Sequence, residues 1–246
     1  MASRTYKTQA IVLRSMRFSE ADRILHLYTA DRGRIGAIAK GVRKTKSRFG
    51  ARLEPLSHVE LLLHEGSGEL QTITGVDLLH SHHAVRESPY RLNGGLIGAE
   101  AMLRLFGEPE ANERAFTALA RFLDLLEEVV SPAGGRSDLD PLVLSFQLKL
   151  LWLAGYLPHL TSCVECGERE LAGFSARAGG AVCRQHAAGS LNLSADGLAA
   201  VEGLLSSPLA DAVGAPLSDR ARRDALAVIT SSYEEHGGFR LRTLSA

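Results

Sequence analysis

An α+β, multi-domain chain is predicted, and three observations predict it. Five short β-rich runs fill the first 80 residues, a 3.6-residue apolar period takes over from about residue 88, and a pair of Cys/His knuckles interrupts that helical part. The domain bounds that follow are 1–80 for a strand domain, 81–160 and 188–246 for two parts of a helical bundle, and 161–187 for a zinc-finger-like insertion.

The strands are read in order as Tyr6–Leu13, Arg23–Thr29, the run opened by Gly33 and closed by Gly41, His58–His64, and Glu69–Gly75. Each is bounded by polar or glycine-containing turns, such as Ser15–Asp22 and Gly66-Ser67-Gly68. Five is the strand count of an OB-fold barrel. The helical stripes are Leu92, Leu96, Ala99, Leu103 and Phe106, then Phe116, Leu119, Leu123, Leu126 and Val130. Pro132-Ala133-Gly134-Gly135 breaks the pattern, and Leu142, Phe146, Leu150 and Leu153 resume it until Gly155. Shorter stripes follow at Leu198, Val201, Leu204 and Leu205, and at Leu226, Ile229 and Tyr233. Such stripes read as bundle core rather than as a binding groove.

Composition sets limits on function. Hydrophobic residues at 45% and charged residues at 23% are those of an ordinary globular protein. No apolar run approaches the ~20 residues of a membrane span, and MASRTYKTQ lacks the apolar core of a signal peptide, so a cytoplasmic, nucleoid-associated location is expected. The formal net charge of zero conceals a polarised chain. Residues 1–55 hold thirteen Lys/Arg against four Asp/Glu, a net of +9, which leaves −9 for the remaining 191 residues. A basic end on a neutral chain points to a polyanion partner.

The densest charge is Lys40-Gly41-Val42-Arg43-Lys44-Thr45-Lys46-Ser47-Arg48-Phe49-Gly50, in which the flanking glycines let the backbone fold closely over phosphates. Arg17 and Arg23 are read onto the first inter-strand loop, and Arg32 and Arg34 belong to the same basic N-terminal part. The candidate DNA-binding residues are therefore Arg17, Arg23, Arg32, Arg34, Lys40, Arg43, Lys44, Lys46 and Arg48. Aromatics are sparse here (Tyr6, Phe18, Tyr28, Phe49), and some must fill the barrel. Binding should be driven by phosphates, with weak sequence preference and tolerance of single and double strands.

Cys163-x₂-Cys166 and Cys183-x₂-His186 have the spacing of a tetrahedral zinc site built from two knuckles joined by a small hairpin. Gly167 suits the tight turn after the second cysteine. Four protein ligands leave no open position, so a structural Zn²⁺ is expected. His58-Val59-Glu60 with Cys163-x₂-Cys166 mimics a zinc nucleobase deaminase, but Ser162 stands where that signature has proline, and Cys183 and His186 would have no role. No phosphate loop and no hydrolase or protease motif is present, and His80, His82 and His83 read as solvated loop residues. No catalytic residue is assigned.

An ordered set of motifs resembles the RecO family of bacterial recombination mediators over essentially the whole chain. They are Tyr6–Arg14 (YKTQAIVLR), Glu20–Arg23 (EADR), Tyr28–Gly36 (YTADRGRIG), Ala39–Gly50 (AKGVRKTKSRFG), Leu53–Pro55, Gly155–Gly167 (GYLPHLTSCVECG), Phe174-Ser175 and Gly179–Cys183. The resemblance implies an N-terminal OB-fold, a helical bundle and a zinc-finger-like insertion, and it implies no enzymatic turnover. It implies binding of single- and double-stranded DNA, annealing of complementary strands, and cooperation with RecR and in some members RecF. It further implies contact with the acidic C-terminal tail of single-strand-binding protein and help in loading RecA. His186 replaces the family's usual fourth cysteine, and Tyr233–Ala246 departs from its closing helix and basic tail, leaving Arg240 and Arg242 without an assigned role. A protein-interaction scaffold for acidic tails is the alternative from another class.

Overall fold

In a computed structural model, which describes residues 4–47, 49–66, 68–107 and 109–244, the five predicted strands form a closed barrel. They are β1 (Arg4–Arg17), β2 (Arg23–Thr29), β3 (Gly33–Ala39), β4 (His58–Glu65) and β5 (Gln71–His80). The order around the barrel is β1-β2-β3-β5-β4, closed by antiparallel β4–β1 pairing, with β3 and β5 the parallel neighbours. Alternation drives the closure. Ala10, Val12, Leu25, Leu27, Ile35, Ala37, Val59, Leu61 and Leu63 turn inward as one core, and Phe49 plugs it.

The strands overrun their predicted bounds. β1 extends through Ser15–Arg17, past a register shift between Val12 and Arg14, and β5 starts at Gln71 and runs on to His80. Paired ladders hold polar residues that alternation alone would release into loops. A short helix α1 (His83–Glu87) follows. The chain as a whole divides into two units, one of them the barrel and α1 with Phe106–Glu127, the other Ser88–Leu105 with Glu128–Ala246.

The helices are α2 (Pro89–Leu105), α3 (Glu113–Leu126), α4 (Pro141–Leu153), α5 (Ala195–Ser206) and α6 (Asp219–Ser232). Their starts follow capping chemistry. Asn112, Asp140, Ser194 and Ser218 each accept a hydrogen bond from a first-turn N–H, and Pro141 occupies a position that needs no donor. Helix α3, expected in the bundle, belongs to the barrel's unit, where Tyr28 meets Phe106 edge-on at 6.0 Å. In the other unit α4 is buried on nearly every side and packs against α2, α5 and α6.

Two predicted stripes are corrected. Helix α2 buries the predicted Ala99 but otherwise Gly94, Gly95, Ile97, Gly98, Ala101 and Met102, while Leu92, Leu96 and Leu103 are half-buried, since its buried side is rich in small residues that apolar periodicity does not register. Phe106 lies beyond α2, and Val130, beyond α3, is 83% exposed. Between α5 and α6, Asp224 accepts from the Ser194 N–H at 2.9 Å, its hydroxyl at 2.6 Å and Arg220 Nε at 3.0 Å. A Cβ on Gly197 would lie 2.3 Å from that carboxylate, so the close approach requires glycine. Residues 240–243 are tied down by hydrogen bonds and an ion pair. The Arg242 and Thr243 N–H groups each donate to Glu100 at 3.0 Å, and Arg240 pairs with Glu234.

Candidate nucleic-acid interface and metal centre

Two basic segments far apart in sequence are clamped together at one end of the barrel. Arg17 and Arg23 are not loop residues; they close β1 and open β2 and face each other across the ladder, with Ala39 opposite Arg23 on the other side. The turn after β3 then folds against the β1–β2 loop. Asp22 Oδ1 accepts the Gly41 N–H at 2.8 Å, and the Arg43 N–H donates to the Ala21 carbonyl at 3.0 Å. The Arg43 guanidinium donates to the carbonyls of Glu20 at 2.9 Å and Ser19 at 3.2 Å. Gly41 and Gly50 have φ of 69° and 54°, as the tight path of the basic segment requires.

The clamp sorts the predicted residues. Arg17, Lys40, Lys44 and Lys46 are exposed and make no ion pair among the described residues. Arg43 is spent on the loop carbonyls, and Arg23 is held by Ser15 Oγ at 3.3 Å and Glu54 at 3.6 Å. Arg48 lies outside the described residues. Arg32 is not brought to this end. It stands 3.7 Å over the Tyr6 ring and 3.8 Å from Glu65, at the opposite end of the barrel.

Arg34 sits on the outer face of β3, and here sequence reading missed two neighbours. Arg14 pairs directly with His26, and His26 with Gly36, two residues along β3 from Arg34. Burial, then the nearby Arg34 and Arg14 charges, push the His26 imidazole below its usual value. Strand alternation could have placed Arg14 there, but the register shift beside it hides which face it takes. Among the aromatics, Tyr28 and Phe49 are buried and Phe18, on the clamped loop, is 59% exposed.

The metal centre is local. β6 (Leu171–Ser175) and β7 (Gly180–Cys183) form the expected hairpin, joined by β8 (Leu191–Asn192). The first knuckle turns at Gly167 (φ 78°), whose N–H donates to the Cys163 carbonyl at 2.8 Å, and Val164 N–H donates to Ala181 at 3.0 Å. Donor atoms of Cys163, Cys166, Cys183 and His186 all lie within 4.8 Å of one another. His186 Nδ1 is 3.3 Å from Cys183 Sγ and 3.6 Å from Cys163 Sγ, and Cys166 and Cys183 are 3.8 Å apart. Burial opposes ionisation of Cys163, but N–H groups of Cys183, Glu165 and Cys166 outweigh it and hold the thiol down to about 6. Three sulfurs and one imidazole nitrogen at these separations suit a tetrahedral divalent ion, so the cluster can bind a metal. His58 and Glu60 take no part: His58 contacts Gln9 and packs on Phe116, and the four donors close on themselves.

The helical unit also carries an open cleft of about 650 Å³ lined by Trp152, Leu157, Leu160, Leu205 and Pro208 with Lys149. No helix of the described residues is long and apolar enough to cross a membrane.

Family profiles match both parts of the chain, Recombination protein O N terminal over residues 1–82 and Recombination protein O C terminal over 86–245. The chain is 43% identical over 182 residues to "DNA repair protein RecO" of Rubrobacter xylanophilus, covering 73% of this chain and 70% of that protein. It is 35% identical to the protein of that name from Thermobifida fusca over 96% of both chains, and 36% identical to that of Frankia casuarinae over 97% of this chain and 96% of the other.

Proposed function

Because the chain belongs to the recombination protein O family, we propose that it is a DNA-binding mediator of recombinational repair that works by binding rather than turnover. It holds single- and double-stranded DNA by their phosphates, anneals complementary strands, and with RecR helps RecA onto DNA coated by single-strand-binding protein. The observation that carries this reading is the clamp. Asp22 and Arg43 bind two basic segments into one platform on which Arg17, Lys40, Lys44 and Lys46 stay exposed beside Phe18. Two phosphate strands repel each other, and a surface that neutralises both lowers the cost of bringing them together. Zn²⁺ in the Cys163/Cys166/Cys183/His186 cluster would fasten its hairpin, a structural contribution separate from the DNA surface.

Strand annealing with tailed and tailless single-strand-binding protein tests the reading. Loss of annealing in a Lys40→Glu/Lys44→Glu/Lys46→Glu chain that keeps its melting temperature is expected; unchanged annealing would overturn it. The scaffold reading rests on the same positive charge, and competition separates the two. A tail peptide that displaces DNA shares the basic platform, whereas one that leaves DNA bound occupies another surface, for which the cleft around Trp152 is open. Metal analysis of protein purified without chelator should find one zinc retained by the cysteine cluster, and Cys166→Ser should lose it.

A further inference from the structure

The family reading leaves unused a group of histidines at the exit of β5. His80 Nδ1 and His82 Nε2 converge on one oxygen, Asp124 Oδ1 of α3, at 3.0 and 3.1 Å. The other nitrogen of each ring is already engaged from behind. His82 Nδ1 is 2.7 Å from the Leu56 carbonyl, and His80 Nε2 is 3.2 Å from Glu127 Oε2. A backbone carbonyl only accepts, so His82 Nδ1 donates to Leu56 and its Nε2 is the atom turned to Asp124. Both inner nitrogens therefore face the same carboxylate oxygen, and the three donor atoms can be shared by one ion.

The rings lie 4.1 Å apart and the His82 side chain is 1% exposed, so both imidazoles are held side by side against Asp124. A single divalent ion would engage both inner nitrogens and the carboxylate oxygen at once. Inner nitrogens free while outer nitrogens donate to a carbonyl or carboxylate is how metal-bound histidines are ordinarily held. Ligands about 2.0–2.1 Å from a tetrahedral ion stand roughly 3.3 Å from one another, and the observed 3.0 and 3.1 Å are close to that spacing. The backbone is also set for the task at some strain, since Leu56 and His82, the two partners of the rear hydrogen bond, both have positive φ, 70° and 45°.

We propose that His80, His82 and Asp124 form a second metal site, a His₂Asp centre for a first-row divalent ion such as Zn²⁺, with Glu127 and the Leu56 carbonyl orienting its imidazoles. The three ligands come from the end of β5 and from α3, so the ion staples the barrel to the helix of its own unit. The half-exposed His80 and Asp124 leave a fourth position for water. His83, 68% exposed and paired with Glu87, is no ligand.

The full chain, stripped with chelator and retitrated with Co²⁺, tests the site. Wild-type protein is expected to take two ions, one with thiolate-to-cobalt absorption and one without. His80→Asn and Asp124→Asn should each remove the second ion alone, and His83→Asn should keep both. In a Cys163→Ser/Cys166→Ser chain, one thiolate-free Co²⁺ should remain, and Zn²⁺ should raise the melting temperature in a manner abolished by His80→Asn. Absence of thiolate-free binding in wild type, or binding indifferent to His80→Asn and Asp124→Asn, would overturn the assignment. Metal binding is read directly in these titrations, so DNA affinity neither supports nor sinks this site.

Discussion

At the end of the barrel where β1 meets the close of β4, Arg32 lies over Tyr6 and beside Glu65; at the other end, Arg17, Lys40, Lys44 and Lys46 make no ion pair among the described residues. Both ends are basic in sequence. The difference is how the charge is employed, for at one end a cation is consumed by an aromatic face and a carboxylate, and at the other Arg23 and Arg43 are engaged, Arg43 tying down the loop beside the cations that stay exposed. Net charge therefore overstates the binding surface by counting cations that serve the fold.

Reversing the exposed lysines should give the largest effect. Lys40→Glu/Lys44→Glu/Lys46→Glu is expected to reduce DNA binding to background with little change in melting temperature. For the wild type, neutralising about four phosphates gives a slope of log affinity on log salt of about −3 to −4. A salt-independent affinity would break the comparison outright. Next comes Phe18→Ala, expected to weaken single-stranded DNA by roughly tenfold through lost stacking while sparing duplex, as anisotropy titrations of both would show.

Arg43→Ala should act through the platform. It removes charge-assisted bonds worth roughly 1 kcal/mol, and amide exchange in residues 19–22 should quicken while affinity falls less than in the lysine variant. Arg32→Ala, at the far end, is expected to change DNA affinity by less than about twofold and stability by about 0.5–1 kcal/mol. A strong DNA defect there would mean that the two ends bind together.

The smallest effect is one of pH. Burial, Arg34 and Arg14 keep His26 neutral near pH 7, and bound phosphate on that face would favour its protonated form. Affinity should be flat above the ordinary histidine value of about 6.5 and rise modestly as pH falls through the lowered one. A profile that stays flat down to about pH 5 would remove His26 from the DNA face.

Much of this was legible without coordinates, and the reason is locality. Five alternating runs and the Cys/His knuckles each act over a few neighbouring residues, so the five-stranded barrel and the Cys/His hairpin follow from spacing. What failed was non-local. The buried face of α2 runs through Gly94, Gly95 and Gly98, chosen by what packs on it rather than by its own apolar side chains. His82 reads as a solvated loop residue and is buried, because Asp124 and Leu56, 42 and 26 residues away, close on it.

The sequence by itself determined the barrel, the capped helices, the Cys₃His hairpin and the concentration of positive charge in residues 1–55, since each depends on short-range pattern and composition. Only the tertiary structure decided that α3 joins the barrel, that Arg43 is a clamp while Lys44 and Lys46 stay exposed, and that His80 and His82 meet Asp124. A contact between residues distant along the chain is fixed by packing geometry, and periodicity carries no record of it.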